Sequence, residues 1–274
     1  MLKKNMVMLS LALMAAVLFS GCPENRRGQL EDIKSQGQLV VYTNPSFPPF
    51  EYENESGEIC GLDIDIVQRV AEKLGVPLEI VPSEFGAILG NVVTGRGDIG
   101  ASGFTINEER RKKVDFSVPF IVSVQYLLLP EDSEINYVED LAGKKVAAQD
   151  KTTGYALLDS AITSGLLRDK NCTLRGISHP KEGIKEMKDG KLDALGVDEM
   201  VAKAFVKKHP EFKAIPLIDK NGNGLDAPEE FGLMVRKGRP ELLELINEVI
   251  SEMITDGSLK KSLETHLDSG KLGH

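Results

Sequence analysis

From residue 39 onward the chain alternates short β-rich runs with amphipathic stretches, and it goes through that alternation twice. The run LVVYT at 39–43 is β-branched and aromatic, and is stopped by Asn44-Pro45 and the Pro48-Pro49 pair. Residues 50–52 and 59–62 read as a hairpin around Asn54-Glu55-Ser56-Gly57. Leu62, Ile66, Val67, Val70 and Leu74 then recur at helical spacing, with Asp63 and Asp65 in the first turn and Gly75 closing the helix. A strand at 76–81, a helix at 87–94 and a strand at 99–103 complete the round. The second round follows a strand at 122–129 and a polar break at 130–136. Its strands lie at 145–148, 174–177 and 192–197, and its helices at 154–165, 181–188 and 199–209. One more strand at 231–236 and a long amphipathic helix at 240–256 end the pattern. Such alternation implies mostly parallel sheets with helices packed on their faces. Ligands of these sheets collect at the strand carboxyl ends. Asn44, Phe47, Phe85, Ser102 and Thr105 all lie just after strands, so one crevice can gather them.

The stretch GDIGASGFTINEERRKKVDFSVPF at 97–120 carries the most chemistry. Its apolar and small residues at 99–103 suit a buried strand whose backbone is approached closely. Asn107 stands at a helix N-cap position, followed by Glu108 and Glu109. Arg110 then falls in the first turn, beside amide groups the turn leaves unpaired. That mouth suits an anion, and a guanidinium can grip a carboxylate through two parallel hydrogen bonds. On spacing alone the competing reading is a surface arginine in a charged helix.

The run Thr105-Ile106-Asn107-Glu108-Glu109-Arg110, with Asp115-Phe116-Ser117 behind it, resembles the signature of the bacterial extracellular solute-binding proteins of family 3. These are the amino-acid-binding proteins of ABC importers, and the likeness extends in order from about Leu39 to about Leu267. The resemblance implies an α/β, two-lobe periplasmic-binding-protein type II (Venus-flytrap) fold. Residues 38–122 with 217–274 would form the first lobe and 123–216 the second, joined by hinge strands near 121–124 and 213–216. It implies that Arg110 takes the carboxylate of a free amino acid, helped by the hydroxyl and backbone N–H of Thr105. The loop Gln149-Asp150-Lys151-Thr152-Thr153-Gly154 would add a second-lobe N–H, with Lys151 where relatives often carry Gly. Asp198, ending the run GKLDALGVD, would hold the ammonium together with the carbonyl of Gly103; by position alone it is equally an N-cap. Phe47 and Phe85 would flank the side chain. Asn44 occupies the place where relatives often carry an acid selecting cationic ligands, which leans the reading towards a polar or acidic amino acid. Ligand ends tied to opposite lobes give closure its driving force.

The resemblance also raises an enzyme alternative, since cyclohexadienyl (arogenate or prephenate) dehydratases share the fold. Those enzymes would carry an acid three residues past the ammonium-binding Asp, and here that residue is Val201. The reading is therefore a binding protein without catalytic residues, cofactor or metal, partnered by an ABC permease and expected to be monomeric. A net charge of −9 argues against nucleic acid, which needs basic patches. Lys3, Lys4 and the apolar run at 6–19 read as a secretion signal ending at residue 21. The run LFSGC resembles a lipobox, so Cys22 is expected to be lipidated and followed by a tether to residue 37, anchoring the protein at the membrane in the periplasm or at the cell surface. Cys60 and Cys172 belong to different lobes and are read as free thiols. The run from Asp219 to Glu230 matches a calcium-loop pattern, but Asp226 stands where that loop is apolar and Pro228 intrudes; a polar hairpin turn is the better reading. His179, His209, His266 and His274 have no metal-site spacing.

Overall fold

The computed structural model describes residues 29–225 and 227–269; the expected signal, Cys22 and Asp226 lie outside them. After α1 (Gln29–Gln36) come β1 (Leu39–Thr43) and the small strands β2 (Ser46–Phe47), β3 (Glu51–Glu53) and β4 (Ile59–Cys60). Helix α2 (Leu62–Leu74) follows, its Leu62, Ile66, Val67 and Val70 fully buried and Gly75 ending it in the left-handed conformation. Next are β5 (Leu78–Pro82), α3 (Phe85–Val93), β6 (Ile99–Gly100), the single turn α4 (Glu108–Arg111) and β7 (Val114–Phe116). The chain crosses through β8 (Ile121–Ser123) into β9 (Gln125–Pro130), β10 (Lys145–Gln149), α5 (Thr153–Thr163), β11 (Thr173–Ile177), α6 (Pro180–Lys188), β12 (Ala194–Asp198), α7 (Glu199–Val206) and β13 (Phe212–Pro216). It returns through β14 (Glu229–Phe231) to β15 (Met234–Arg236), α8 (Pro240–Thr255) and α9 (Ser258–Ser269).

Two five-stranded sheets result, ordered β5-β1-β6-β15-β7 and β11-β10-β12-β9-β13. In each, three parallel strands meet a strand that runs against its neighbours: β15 in the first sheet and β9 in the second. Among the described residues, no helix is long and apolar enough to cross a membrane.

Three expectations change. The strand read at 122–129 breaks at Val124, whose carbonyl accepts from Glu199 N–H at 3.0 Å, giving β8 and β9 separate sheets. The strand read at 231–236 also divides: β14 pairs with β8 as a two-stranded ribbon, and β15 enters the first sheet. Finally, residues 213–216 are no crossing. They form the β13 edge of the second sheet, paired to β9 along its length, and Leu217 packs with Leu127 and Leu129 in the second core. Leu217 and Leu225 pack in the second core, and β14 pairs with β8.

Cys60 and Cys172 are free, Cys60 part-exposed and Cys172 buried, where desolvation pushes its thiol up to about 11. The run at 219–224 is a hairpin turn, with Asp219 N–H donating to Asn223 O and the Asp219 carboxylate capping the N–H groups of Asn221 and Asn223. Among the described residues no cluster of His, Cys, Asp and Glu is arranged to hold a metal.

Candidate ligand-binding site

Asn44, Phe47, Phe85, Ser102, Gly103, Thr105, Arg110, Gln149, Thr152, Thr153 and Asp198 line a single cavity between the lobes, together with Glu51. The carboxyl ends of β1 and β6 supply one wall, and those of β10 and β12 the other. The space is tight, with about 20 Å³ open to a water-sized sphere, about what one water needs.

Arg110 is held before any ligand contact. The Asn107 side chain caps the turn by accepting the Arg110 N–H at 2.9 Å. The guanidinium donates to Thr105 O at 2.8 Å and, across the cleft, to Lys151 O at 3.3 Å. It lies over the stacked rings of Phe85 and Phe104, 5.6 and 5.1 Å from their centroids. Burial lowers its pKa to about 10, opposed by the negative charges of Glu229, Glu109 and Asp198. Phe85 thus shores up Arg110 as well as facing the cavity. Asn107→Ala is expected to cost about 1 kcal/mol of stability, the usual loss of an N-cap, and Asn107→Asp to recover most of it in urea unfolding.

On the facing wall Thr152 caps α5, accepting Tyr155 N–H at 3.1 Å. Lys151 adopts φ 65° without being glycine, and its carbonyl meets Arg110. Asp198 occupies the N-cap position of α7 but its side chain makes no cap bond. It accepts from Gln125 Nε2 at 3.1 Å instead. Gly154 makes that possible, because a Cβ there would sit 2.4 Å from Gln125 Oε1. Burial, then the charge of Glu229, push the Asp198 carboxyl well above its ordinary range, while Ser123 and Arg110 pull it down.

At the other end, Asn44 is engaged with the protein itself. It donates to Ser83 O at 2.9 Å and accepts from Ser46 Oγ at 2.7 Å and from Gln149 Nε2 at 3.2 Å across the cleft. Gly103 has φ 53° and lies against Phe47, where a Cβ would come within 2.8 Å of the ring. Its N–H donates to Asp63 at 3.0 Å.

Two acids escaped the sequence reading. Glu51, in a strand between Phe50 and Tyr52, is fully buried, accepts from Ser102 Oγ at 2.8 Å, and has its other oxygen unpaired. Burial, then the charge of Asp63, raise its pKa well above normal. Glu229, on β14, accepts from Thr105 Oγ1 at 2.6 Å and Thr153 Oγ1 at 2.8 Å. The Thr105 hydroxyl, expected to serve a ligand carboxylate, donates to Glu229 here. The available signal for Glu51 was an acid in the middle of an aromatic strand; β14 overlaps the strand read at 231–236 only at Phe231, which left Glu229 outside it.

Residues 39–269 match the family model for bacterial extracellular solute-binding proteins, family 3. The chain is 29% identical over 235 residues to the L-cystine-binding protein TcyJ of Escherichia coli, covering 85% of this chain and 84% of that one. It is 28% identical over 206 residues to a cyclohexadienyl dehydratase of Pseudomonas aeruginosa, covering 73% and 74%. Its fold superposes, with TM-score 0.79 and 31% identity, on an amino acid ABC transporter substrate-binding protein, AbpA, of Streptococcus pneumoniae bound to L-arginine, covering 87% and 98%.

Proposed function

The chain belongs to the bacterial extracellular solute-binding proteins of family 3, and from that premise we propose that it captures a free amino acid with a cationic side chain, L-arginine foremost, for an ABC importer. The observation that carries this is the charge of the cavity wall. Arg110 is its one cation, and Glu51 and Asp198 are its two acids. A zwitterion answers Arg110 with its carboxylate and Asp198 with its ammonium, which leaves Glu51 facing the side chain. Burial and Asp63 disfavour the ionised form of Glu51 in the empty cavity, and a second positive group on the ligand would draw it into that form as a buried pair. The lean towards a polar or acidic ligand rested on Asn44; Glu51, one hairpin further on, supplies the acid that Asn44 lacks. The L-arginine bound by AbpA supports the same choice. Arg110 would grip the α-carboxylate beside the first N–H groups of α5, and Phe47 would lie along the side chain.

Nothing at Val201 serves the dehydratase alternative: its side chain is buried and apolar. The protein is accordingly read as a carrier, and turnover of arogenate or prephenate would overturn that. The family is extracytoplasmic, and the LFSGC run supports anchoring through Cys22.

The test is a thermal-shift panel of free amino acids. A ligand at a hundred times its Kd adds about 2.7 kcal/mol, or roughly 5–10 °C for a chain of this size. L-arginine and L-lysine are expected to give the largest shifts and L-glutamate none. A panel led by glutamate or by apolar amino acids sinks the reading.

A further inference from the structure

Glu229 is neither in the cavity wall nor in either five-stranded sheet. It lies behind the wall on β14, the strand that pairs with β8 where the chain passes between the lobes. One of its oxygens, Oε2, accepts two hydroxyls at once, Thr105 Oγ1 at 2.6 Å and Thr153 Oγ1 at 2.8 Å. Thr105 belongs to the first lobe, just beyond β6, and Thr153 opens α5 in the second. The two hydroxyls are themselves 3.2 Å apart. A single oxygen can hold both donors only while the lobes are shut, because parting them carries Thr153 out of reach of either partner. Glu229 is buried, where hydrogen bonds are stronger than in water.

We propose that Glu229 is a clasp: a positioning residue, borne by β14, that joins the two threonines across the cleft and slows reopening. It does not touch the ligand. It acts by holding Thr153, and with it the N-terminus of α5, against the first lobe beside Arg110. The clasp is set by an acceptor oxygen rather than by charge. Glutamine at 229 therefore keeps it, since an amide carbonyl also accepts two hydrogen bonds, whereas alanine removes it.

The experiment compares wild type, Glu229→Gln, Glu229→Ala and Thr153→Val by stopped-flow binding of L-arginine and by small-angle scattering. Glu229→Ala and Thr153→Val should each raise koff about tenfold, the scale of a lost buried hydrogen bond, with kon near wild type. The double variant should be no worse than the single ones, because both remove one joint. Glu229→Gln should keep the wild-type koff. Scattering needs no ligand: Glu229→Ala should have a larger radius of gyration than wild type and Glu229→Gln. The kinetic arm rests on the arginine reading, and if L-arginine fails to bind wild type that reading falls while scattering still judges the clasp. An unchanged koff and radius in Glu229→Ala, or a Glu229→Gln that fails as alanine does, overturns the clasp. Should Glu229→Ala not fold, Thr153→Val decides by the same two readouts.

Discussion

Arg110→Ala and Asp198→Ala are each expected to remove most or all of the thermal shift that L-arginine gives at about a hundred times the wild-type Kd. Truncating one partner of a buried, hydrogen-bonded charge pair costs about 2–5 kcal/mol or more. That is roughly thirtyfold to several thousandfold in Kd, at about 1.4 kcal/mol per tenfold. The two variants should differ in the absence of ligand. Arg110 is stacked on Phe85 and Phe104 and bonded to Thr105 O, so its loss removes packing. It also removes a cation that burial disfavours, and the two effects offset one another. Asp198 is held well above its ordinary pKa chiefly by desolvation. A group so raised makes the fold more stable while it is protonated and less stable as pH climbs through its folded pKa. Asp198→Ala should therefore melt no lower than wild type near pH 8, while losing its ligand response. That combination marks a residue kept for binding at the expense of stability. A normal arginine shift in either variant would remove that residue from the site.

Most of the cavity wall was legible because its residues stand at strand ends, where fold and function coincide. Asn44 follows β1 and Ser102 follows β6, and the spacing of β-rich runs placed both; Gly103, after β6, and Asp198, ending β12, came from the family resemblance. What escaped was set by tertiary packing. Glu51 alternates with Phe50 and Tyr52, so a half-exposed strand would turn either the acid or the aromatics outward. All three are buried, because the hairpin is covered on both sides. Asp63 read as a first-turn acid matched to the α2 dipole, yet it points inward to the Gly103 N–H. The breaks at Val124 and between β14 and β15 left no mark on hydrophobic runs that look continuous. Helix α9 went unread, and β13 was read only as a hinge strand near 213–216 rather than as an edge of the second sheet.

Asp63→Asn is expected to stabilise the protein at pH 8 and to lose that advantage by about pH 4. Asp63 is 1% exposed and one of its oxygens has no partner. Burial raises its pKa from 3.8 to about 7 in the fold, against a smaller lowering by the Gly103 N–H. Between those values the folded state holds a proton that the unfolded chain has released, so stability falls as pH rises from about 4 to about 7. A gap of about 3 pH units at 1.36 kcal/mol each caps the effect at roughly 4 kcal/mol. Asparagine cannot ionise and keeps an oxygen for the Gly103 N–H, so its stability should lack this fall. Urea unfolding of both proteins at pH 5 and pH 8 measures the difference, and the shared contributions of every other titrating group cancel. The substitution should also reach the ligand. The Asp63 charge is the second cause, after burial, holding the Glu51 carboxyl high, and without it Glu51 ionises at lower pH. L-arginine should then bind Asp63→Asn at least as tightly as wild type near neutrality, with an affinity that falls off at lower pH. A stability gap identical at the two pH values would mean that Asp63 does not change charge in this range, and the link from Asp63 through Glu51 to the cationic ligand would break with it.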